Sequence, residues 1–329
     1  MASRGRFRYV DARGNAITDE DQLERIRALV IPPAWIEVWI SPSAAAKLQA
    51  TGIDAAGRRQ YLYHANFRAQ QEQAKFDRLI RFAERLPDLR AATAEHLSND
   101  TLDRVRVSAL AARLINAGWF RVGSERYARE SRTYGITTLR KSHVHVRGNR
   151  IVFDFRAKHR TIVRTTLVDE ELAEAVKELL ALPGGPRLFR YEWEDSRCNL
   201  TGARLNDYVR EYLGDKFTAK DFRTWGGTLI AAIALAERGP AESESEAKRV
   251  IPAVMRRVGK ELGNTPAVAR SSYVSPAVID QYLDGRTIND FRPRHLRVVR
   301  ASDIDLDPEE QALLSLLRSW KIRQSRAAA

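Results

Sequence analysis

The period of the apolar positions changes along the chain, and the predicted architecture changes with it. Residues 7–10 and 35–40 are rich in strand formers, while residues 11–14 and 54–57 read as turns with Gly14 and Gly57 where a positive φ is needed. Pro32 and Pro33 predict an extended entry to the second strand, because proline restricts the residue before it as well as itself. A helix over 21–30 is expected to cross between the two strands. After Tyr63 the pattern lengthens into a helix over 66–86, polar and Gln-rich at first and then amphipathic. Farther on, Val144 and Val146, a turn at Gly148 and Asn149, and alternating Ile151, Phe153 and Phe155 predict a hairpin with one buried face. A third strand is expected over 162–166. The acidic run from Glu242 to Glu246 reads as a loop before a helix. Asp307 and Pro308 open a last amphipathic helix with Leu313, Leu314, Leu317 and Trp320, and a disordered basic tail is expected after it. No internal repeat is found. The expected fold class is α+β: a β-rich N-terminal domain over 1–70 with a hinge near 70, and a larger, mainly helical domain over 71–305 holding a small three-stranded sheet. The final helix and tail occupy 306–329.

Composition adds a partner. In 329 residues, 55 Lys and Arg stand against 42 Asp and Glu, a formal charge of +13, which implies a polyanion. Nucleic acid is the first expectation, although charge alone does not separate DNA from RNA or from an acidic membrane. A single cysteine, Cys198, excludes a disulfide framework and any Cys-rich zinc module, so the chain reads as cytoplasmic and the thiol as inert. The N-terminus lacks the apolar run of a signal peptide, and no stretch has the length of a membrane span.

Several polar residues sit where chemistry is conceivable. Thr218 and Asp221 have the form of a capping box, and Phe222, Trp225, Leu229 and Ile233 follow at helical spacing. Arg223 then lies in a first helical turn, off the apolar stripe, where free N–H groups and the helix dipole reinforce an anion site. A surface arginine paired with a carboxylate is the plainer reading. Arg121 follows Phe120 in a second arginine motif, and two planar guanidinium forks can hold both non-bridging oxygens of one phosphate. Lys158 falls in a turn at a strand end, with a flexible stem. Gly263 closes one helix, Thr265 and Pro266 open the next, and Tyr273 follows one to two turns on. A tyrosine so placed is also commonly a half-buried core residue. His143 and His145 are the nearest approach to a metal pair, on a predicted strand without partners, and read as structural or DNA-facing. Neither a phosphate-cradling P-loop nor a clustered carboxylate or His/Cys set is found, so no cofactor and no metal are expected.

Taken in chain order, Arg121, Lys158, Arg223, Asn264 and Tyr273, with the segments around them, resemble the type IB DNA topoisomerases in their short, poxvirus-like bacterial form. The resemblance runs from about Phe7 to about Gly285. It implies that Tyr273 attacks a duplex DNA phosphodiester to give a 3′-phosphotyrosyl link and a free 5′-hydroxyl, that Arg121 and Arg223 stabilise the transferring phosphoryl group, and that Lys158 is the general acid. A backbone contact without proton transfer is the alternative for Lys158. Asn264 departs from the histidine of many family members: an amide donates a hydrogen bond but carries no titrating proton. Gln60, Tyr61 and Tyr63 resemble DNA-contacting residues of the family's N-terminal domain, although one of the two tyrosines is equally read as core. Tyr127 and Lys220 match further DNA-contact positions. The resemblance also implies a monomer, a clamp around duplex DNA, and supercoil relaxation without ATP in a bacterial cytoplasm. A tyrosine site-specific recombinase shares the Arg, Lys, Arg, Tyr logic, but the β-rich start argues against it. A basic DNA-binding protein without activity is the remaining alternative.

Overall fold

The computed structural model describes residues 7–292 and 304–327. Residue contacts divide the chain into a smaller unit, Met1–Lys75, and a larger one, Phe76–Ala329. The chain is mixed α+β, with the helices concentrated in the larger unit.

The smaller unit holds helix α1 (Glu20–Ala28) and an antiparallel sheet, in the order β1 (Ile36–Ile40), β2 (Leu48–Ile53), β3 (Arg59–Tyr63). Asp19 caps α1 by accepting from the Gln22 amide. The turns at Gly14 and Gly57 are present, with φ of 86° and 70°. Two expectations are corrected here. Residues 7–10 make only an isolated bridge, Val10 to Ala16, because the turn at Gly14 returns the chain too early for a ladder. The double proline does not extend the entry to β1, since the Trp35 amide bonds back to the Pro32 carbonyl at 3.0 Å and closes a turn. The central strand β2 has no alternating apolar signature. Its Gln49, only 3% exposed, donates to the carbonyls of Ser43, Ala44 and Ala46 and accepts from Arg25, so a polar side chain knits the loop before it.

Helix α2 (Ala65–Leu97) runs on past the predicted end at residue 86 and carries Pro87 inside it. The boundary between the two units falls within this helix. In the larger unit, α3 (Arg104–Gly118) is followed by α4 (Glu125–Glu130) and the predicted antiparallel sheet, β4 (Val144–Arg147), β5 (Arg150–Arg156), β6 (Ile162–Val168). Ile151, Phe153 and Phe155 turn to its buried face. Next come α5 (Glu170–Ala181), a hairpin of β7 (Arg190–Trp193) and β8 (Ser196–Asn199), and α6 (Gly202–Leu213). Cys198 lies on β8, partly buried and free.

The last helices form the framework of the site. They are α7 (Asp221–Arg238), α8 (Glu244–Leu262), α9 (Pro266–Ser272), α10 (Pro276–Leu283) and α11 (Pro308–Ala327). The acidic run is shorter as a loop than expected: Ser243 caps α8 through the Glu246 amide, and Glu244 and Glu246 fall in its first turn, where they complement the dipole. The predicted disordered tail is helical through Ala327. Helix α11 belongs to the main core, with Leu313, Leu314, Leu316 and Leu317 buried. Its Glu310, 4% exposed, binds Arg90 of α2 by two hydrogen bonds of 2.9 and 2.8 Å and accepts from the Trp225 indole of α7 at 3.0 Å. One carboxylate thus ties three helices.

Candidate active site

The C-terminal end of α8 organises the site. A helix end leaves carbonyls without intrahelical partners and a partial negative charge. Gly263, at φ 60°, closes α8 in the left-handed conformation. Two arginines take the exposed carbonyls: Arg223 Nη2 donates to Leu262 O at 2.7 Å, and Arg121 Nη2 donates to Gly263 O at 2.9 Å. Two guanidinium groups therefore share one helix terminus.

Each arginine is also held from a second side. At the end of α3, Trp119 turns left-handed at φ 49° and its carbonyl accepts from Arg223 Nη1 at 2.5 Å. Phe120 then buries against Phe153 and Phe155 of β5, and the alternation of an extended segment sends Arg121 the other way. Gly135 is needed opposite, since a Cβ there would lie 2.5 Å from the Arg121 carbonyl. Arg121 Nη2 also donates to Asn264 Oδ1 at 2.6 Å, while Asn264 Nδ2 lies 3.4 Å from Leu262 O. Among the described residues neither guanidinium forms an ion pair. Arg223 is 4% exposed and its Nε is buried without a partner. Burial, and then the charge of Arg223, lower the Arg121 pKa to about 10, so it stays protonated at neutral pH. Both arginines line a cleft of about 420 Å³ with Trp119, Thr161 and Gly263.

Tyr273 completes the cluster. It forms the C-cap of α9, whose start is fixed by the Thr265 hydroxyl accepting from the Val268 amide and by Pro266 at the first position. The Arg223 guanidinium carbon stands 5.0 Å from the Tyr273 ring centroid. Burial raises the phenol pKa, but the charge of Arg223, a hydrogen bond with its guanidinium, and the charges of Arg121 and Lys220 outweigh it and hold the group below its usual value.

The structure therefore brings Arg121, Arg223, Asn264 and Tyr273 together, with exposed Lys220 within electrostatic reach at the start of α7. Arg223 is not the surface arginine of the plainer reading, nor is it off the core: it is buried and bound to main-chain carbonyls. Lys158 stands apart from these contacts. It is exposed at the start of a one-turn 3-10 segment between β5 and β6, whose neighbours Ala157 and Thr161 line the same cleft. The next two residues, His159 and Arg160, both take positive φ, so the backbone at this tip is strained. Tyr127 lies on α4, partly buried. His143 sits in a 3-10 turn rather than on a strand, its ring 4.5 Å from that of Tyr134, and His145 is on β4. In the smaller unit, Tyr61 and Tyr63 are both exposed, at 49% and 42%, and stack at 6.3 Å, so neither is core. Gln60 is bound to Asp54 at 2.8 Å. The carbonyl acceptors of Trp119, Leu262 and Gly263 escape sequence reasoning, because a main-chain oxygen leaves no mark in the sequence beyond the glycine that exposes it.

Residues 64–290 match the family model of the eukaryotic DNA topoisomerase I catalytic core, and residues 6–54 match that of the bacterial DNA topoisomerase IB N-terminal domain. The chain belongs to the type IB DNA topoisomerases. DNA topoisomerase 1B of Acanthamoeba polyphaga mimivirus is 32% identical over 284 residues, 84% of each chain. DNA topoisomerase 1B of vaccinia virus (strain Copenhagen) is 22% identical over 253 residues, covering 73% of this chain and 74% of its own. DNA topoisomerase 1 of rabbit fibroma virus (strain Kasza) is 24% identical over 254 residues, 75% and 76% of the two chains. The enzyme is thus a type IB isomerase acting on duplex DNA. Among its described residues no helix is long and apolar enough to cross a membrane.

Proposed function

We propose that the enzyme relaxes supercoiled duplex DNA through a transient 3′-phosphotyrosyl nick made by Tyr273, without ATP or metal. The observation that carries this reading is the stacking of Arg223 over a half-buried Tyr273 beside Arg121, in a pocket whose guanidinium groups are not neutralised by carboxylates. Tyr273 Oη forms a bond to phosphorus as the bond to the 5′-oxygen breaks; the phenolic proton leaves to water, and the departing oxygen takes a proton from Lys158. Arg121 keeps its Nη1, and Arg223 the Nη hydrogens its two carbonyl acceptors leave, for the non-bridging oxygens of the phosphate. Such a transfer needs positioning and stabilised charge more than covalent help. Asn264 orients Arg121 and offers its amide to the phosphate. Religation is the same step in reverse, so the bond energy is kept in the phosphotyrosine and torque in the DNA drives strand rotation. Gln60, Tyr61, Tyr63, Tyr127 and Lys220 contact the duplex, and a monomer in the cytoplasm carries every group required.

The test is relaxation of supercoiled plasmid in EDTA without ATP, wild type beside Tyr273→Phe, with detergent-trapped adducts from the same samples. Relaxation and a 3′-linked adduct from the wild type alone are expected. Relaxation by the Phe variant moves the nucleophile elsewhere.

A further inference from the structure

Helix α7 does more than carry Arg223. Thr228, five residues on, is wholly buried, and its hydroxyl lies 2.8 Å from Thr224 O and 3.1 Å from Tyr273 O while accepting from the Ser275 amide at 3.1 Å. A bond to the carbonyl four residues back is routine for threonine in a helix. The other two contacts are not, because they reach across to the turn that joins α9 to α10.

That turn has few ways to satisfy itself. Tyr273 leaves the helical conformation at φ −131° and ψ −13°, so its carbonyl and the Ser275 amide lie outside both helices, and Val274 and Ser275 are 0% and 2% exposed. Without the hydroxyl the Ser275 amide, on a buried residue, loses this partner, and the Tyr273 carbonyl loses its contact with α7. The residues before Thr228 bring the turn within reach. A Cβ at Gly227 would stand 2.8 Å from Tyr273 O and 2.9 Å from Tyr273 Cβ, and a Cβ at Gly226 would stand 2.4 Å from the Trp119 indole nitrogen. Trp119 is the residue whose carbonyl holds Arg223. Gly226 thus seats the partner of the arginine, Gly227 makes room for the tyrosine, and Thr228 bonds its main chain.

We infer that Thr228 is a positioning residue for the nucleophile: with Gly227, it fixes the main chain of Tyr273 on the helix that carries Arg223, and so fixes the spacing of phenol and guanidinium. The inference rests on the reading of Tyr273 as nucleophile and adds residues that touch neither DNA nor the reacting atoms.

The experiment is single-turnover cleavage of a duplex that releases a short 3′ fragment on cleavage, with duplex affinity and melting temperature measured on the same preparations. Thr228→Val keeps the volume and removes the hydroxyl. Its cleavage constant is expected to fall by about 100-fold, as for a displacement of about 1 Å, with duplex affinity within about threefold of wild type and the inflection of the rate–pH profile moved upward as the phenol leaves the arginine. Thr228→Ser restores the hydroxyl and is expected to restore both rate and profile. Gly227→Ala is expected to cleave as slowly as Thr228→Val. Should Thr228→Val melt below the assay temperature, Thr228→Ala, which also lacks the hydroxyl, takes its place in the same comparison. Wild-type rate and pH profile in the Val or Ala variant overturn the inference, as does a Ser variant as slow as Val. An adduct that persists in Tyr273→Phe overturns the nucleophile assignment and the inference with it, whereas failure of the Thr228 series beside a Tyr273-dependent adduct overturns the inference alone.

Discussion

Arg223 is bound to main-chain carbonyls from two elements while its guanidinium carbon lies 5.0 Å from the Tyr273 ring centroid. Its bonds to Trp119 O and Leu262 O hold the guanidinium still, beside the Tyr273 phenol. Arg223→Ala is expected to slow cleavage by about 100- to 1,000-fold, as for loss of one oxyanion donor, measured under single turnover with saturating enzyme. The same change removes the positive charge that acts most strongly on Tyr273. Arginine charge favours the phenolate, so in the wild type the rate rises with pH and levels off below the usual tyrosine pKa near 10; in Arg223→Ala the inflection moves upward. An unshifted inflection in the variant would show that the charge does not act on the nucleophile. Asn264 permits a different test, because its Oδ1 accepts from Arg121. A neutral imidazole can accept there and an imidazolium cannot. Asn264→His is therefore expected to retain relaxation above about pH 7 and to lose it as pH falls through the histidine range near 6.5, whereas wild type shows no such step. Arg223 and Asn264 were both singled out from the chain; the acceptor role of Asn264 toward Arg121 was not legible, since an amide can present either end and only its neighbours decide.

Elements were legible where a pattern had to alternate or stop. The β4–β5–β6 sheet and the Gly263, Thr265, Pro266 junction follow from period and cap chemistry alone. The central strand β2 was hidden because Gln49, Thr51 and Gly52 are buried for reasons other than hydrophobicity: Gln49 bonds carbonyls, and Gly52 admits the Trp35 ring. The acidic run was read as loop because its capping role depends on Ser243, not on its charges. Helix α11 looked like an appendage because the residue that anchors it, Glu310, is a carboxylate in a polar first turn. Its partners Arg90 and Trp225 are more than eighty residues away in the chain. Glu310→Ala leaves Arg90, on a side chain 15% exposed, without its counter-charge. A broken buried pair of this kind costs about 3–5 kcal/mol, or roughly a 10 °C fall in melting temperature for a unit of this size. Calorimetry checks the figure. A fall under about 2 °C would mean that α11 is held by its leucines alone. Because Trp225 is two residues from Arg223, the variant is also expected to lose cleavage rate at temperatures where it remains folded.

At the scale of the whole molecule, the proposed mechanism assigns the formal charge of +13 to binding and the buried arginines to transfer, two roles that salt can separate. On the proposed reading, exposed cations such as Lys220 neutralise DNA phosphates by displacing counterions, so their contribution to binding falls as salt rises. Arg223, 4% exposed, acts across a few ångströms of protein interior, where mobile ions screen little. Raising salt from 50 to 200 mM is therefore expected to weaken duplex affinity by about 10³-fold or more, as for six to ten phosphate contacts, while the cleavage constant of DNA already bound changes by less than about threefold. Filter binding and single-turnover cleavage at saturating enzyme, across the same salt series, measure the two quantities independently. Lys220→Ala tests the boundary between them, because Lys220 is exposed yet acts on the Tyr273 phenol. It is expected to lower the salt slope of binding by about one and to reduce cleavage more at low salt than at high salt. A cleavage constant in the wild type that fell as steeply as affinity would place the decisive charges at the surface, and the enclosed arginine pair would then be scaffold for α8 instead of the machinery of transfer.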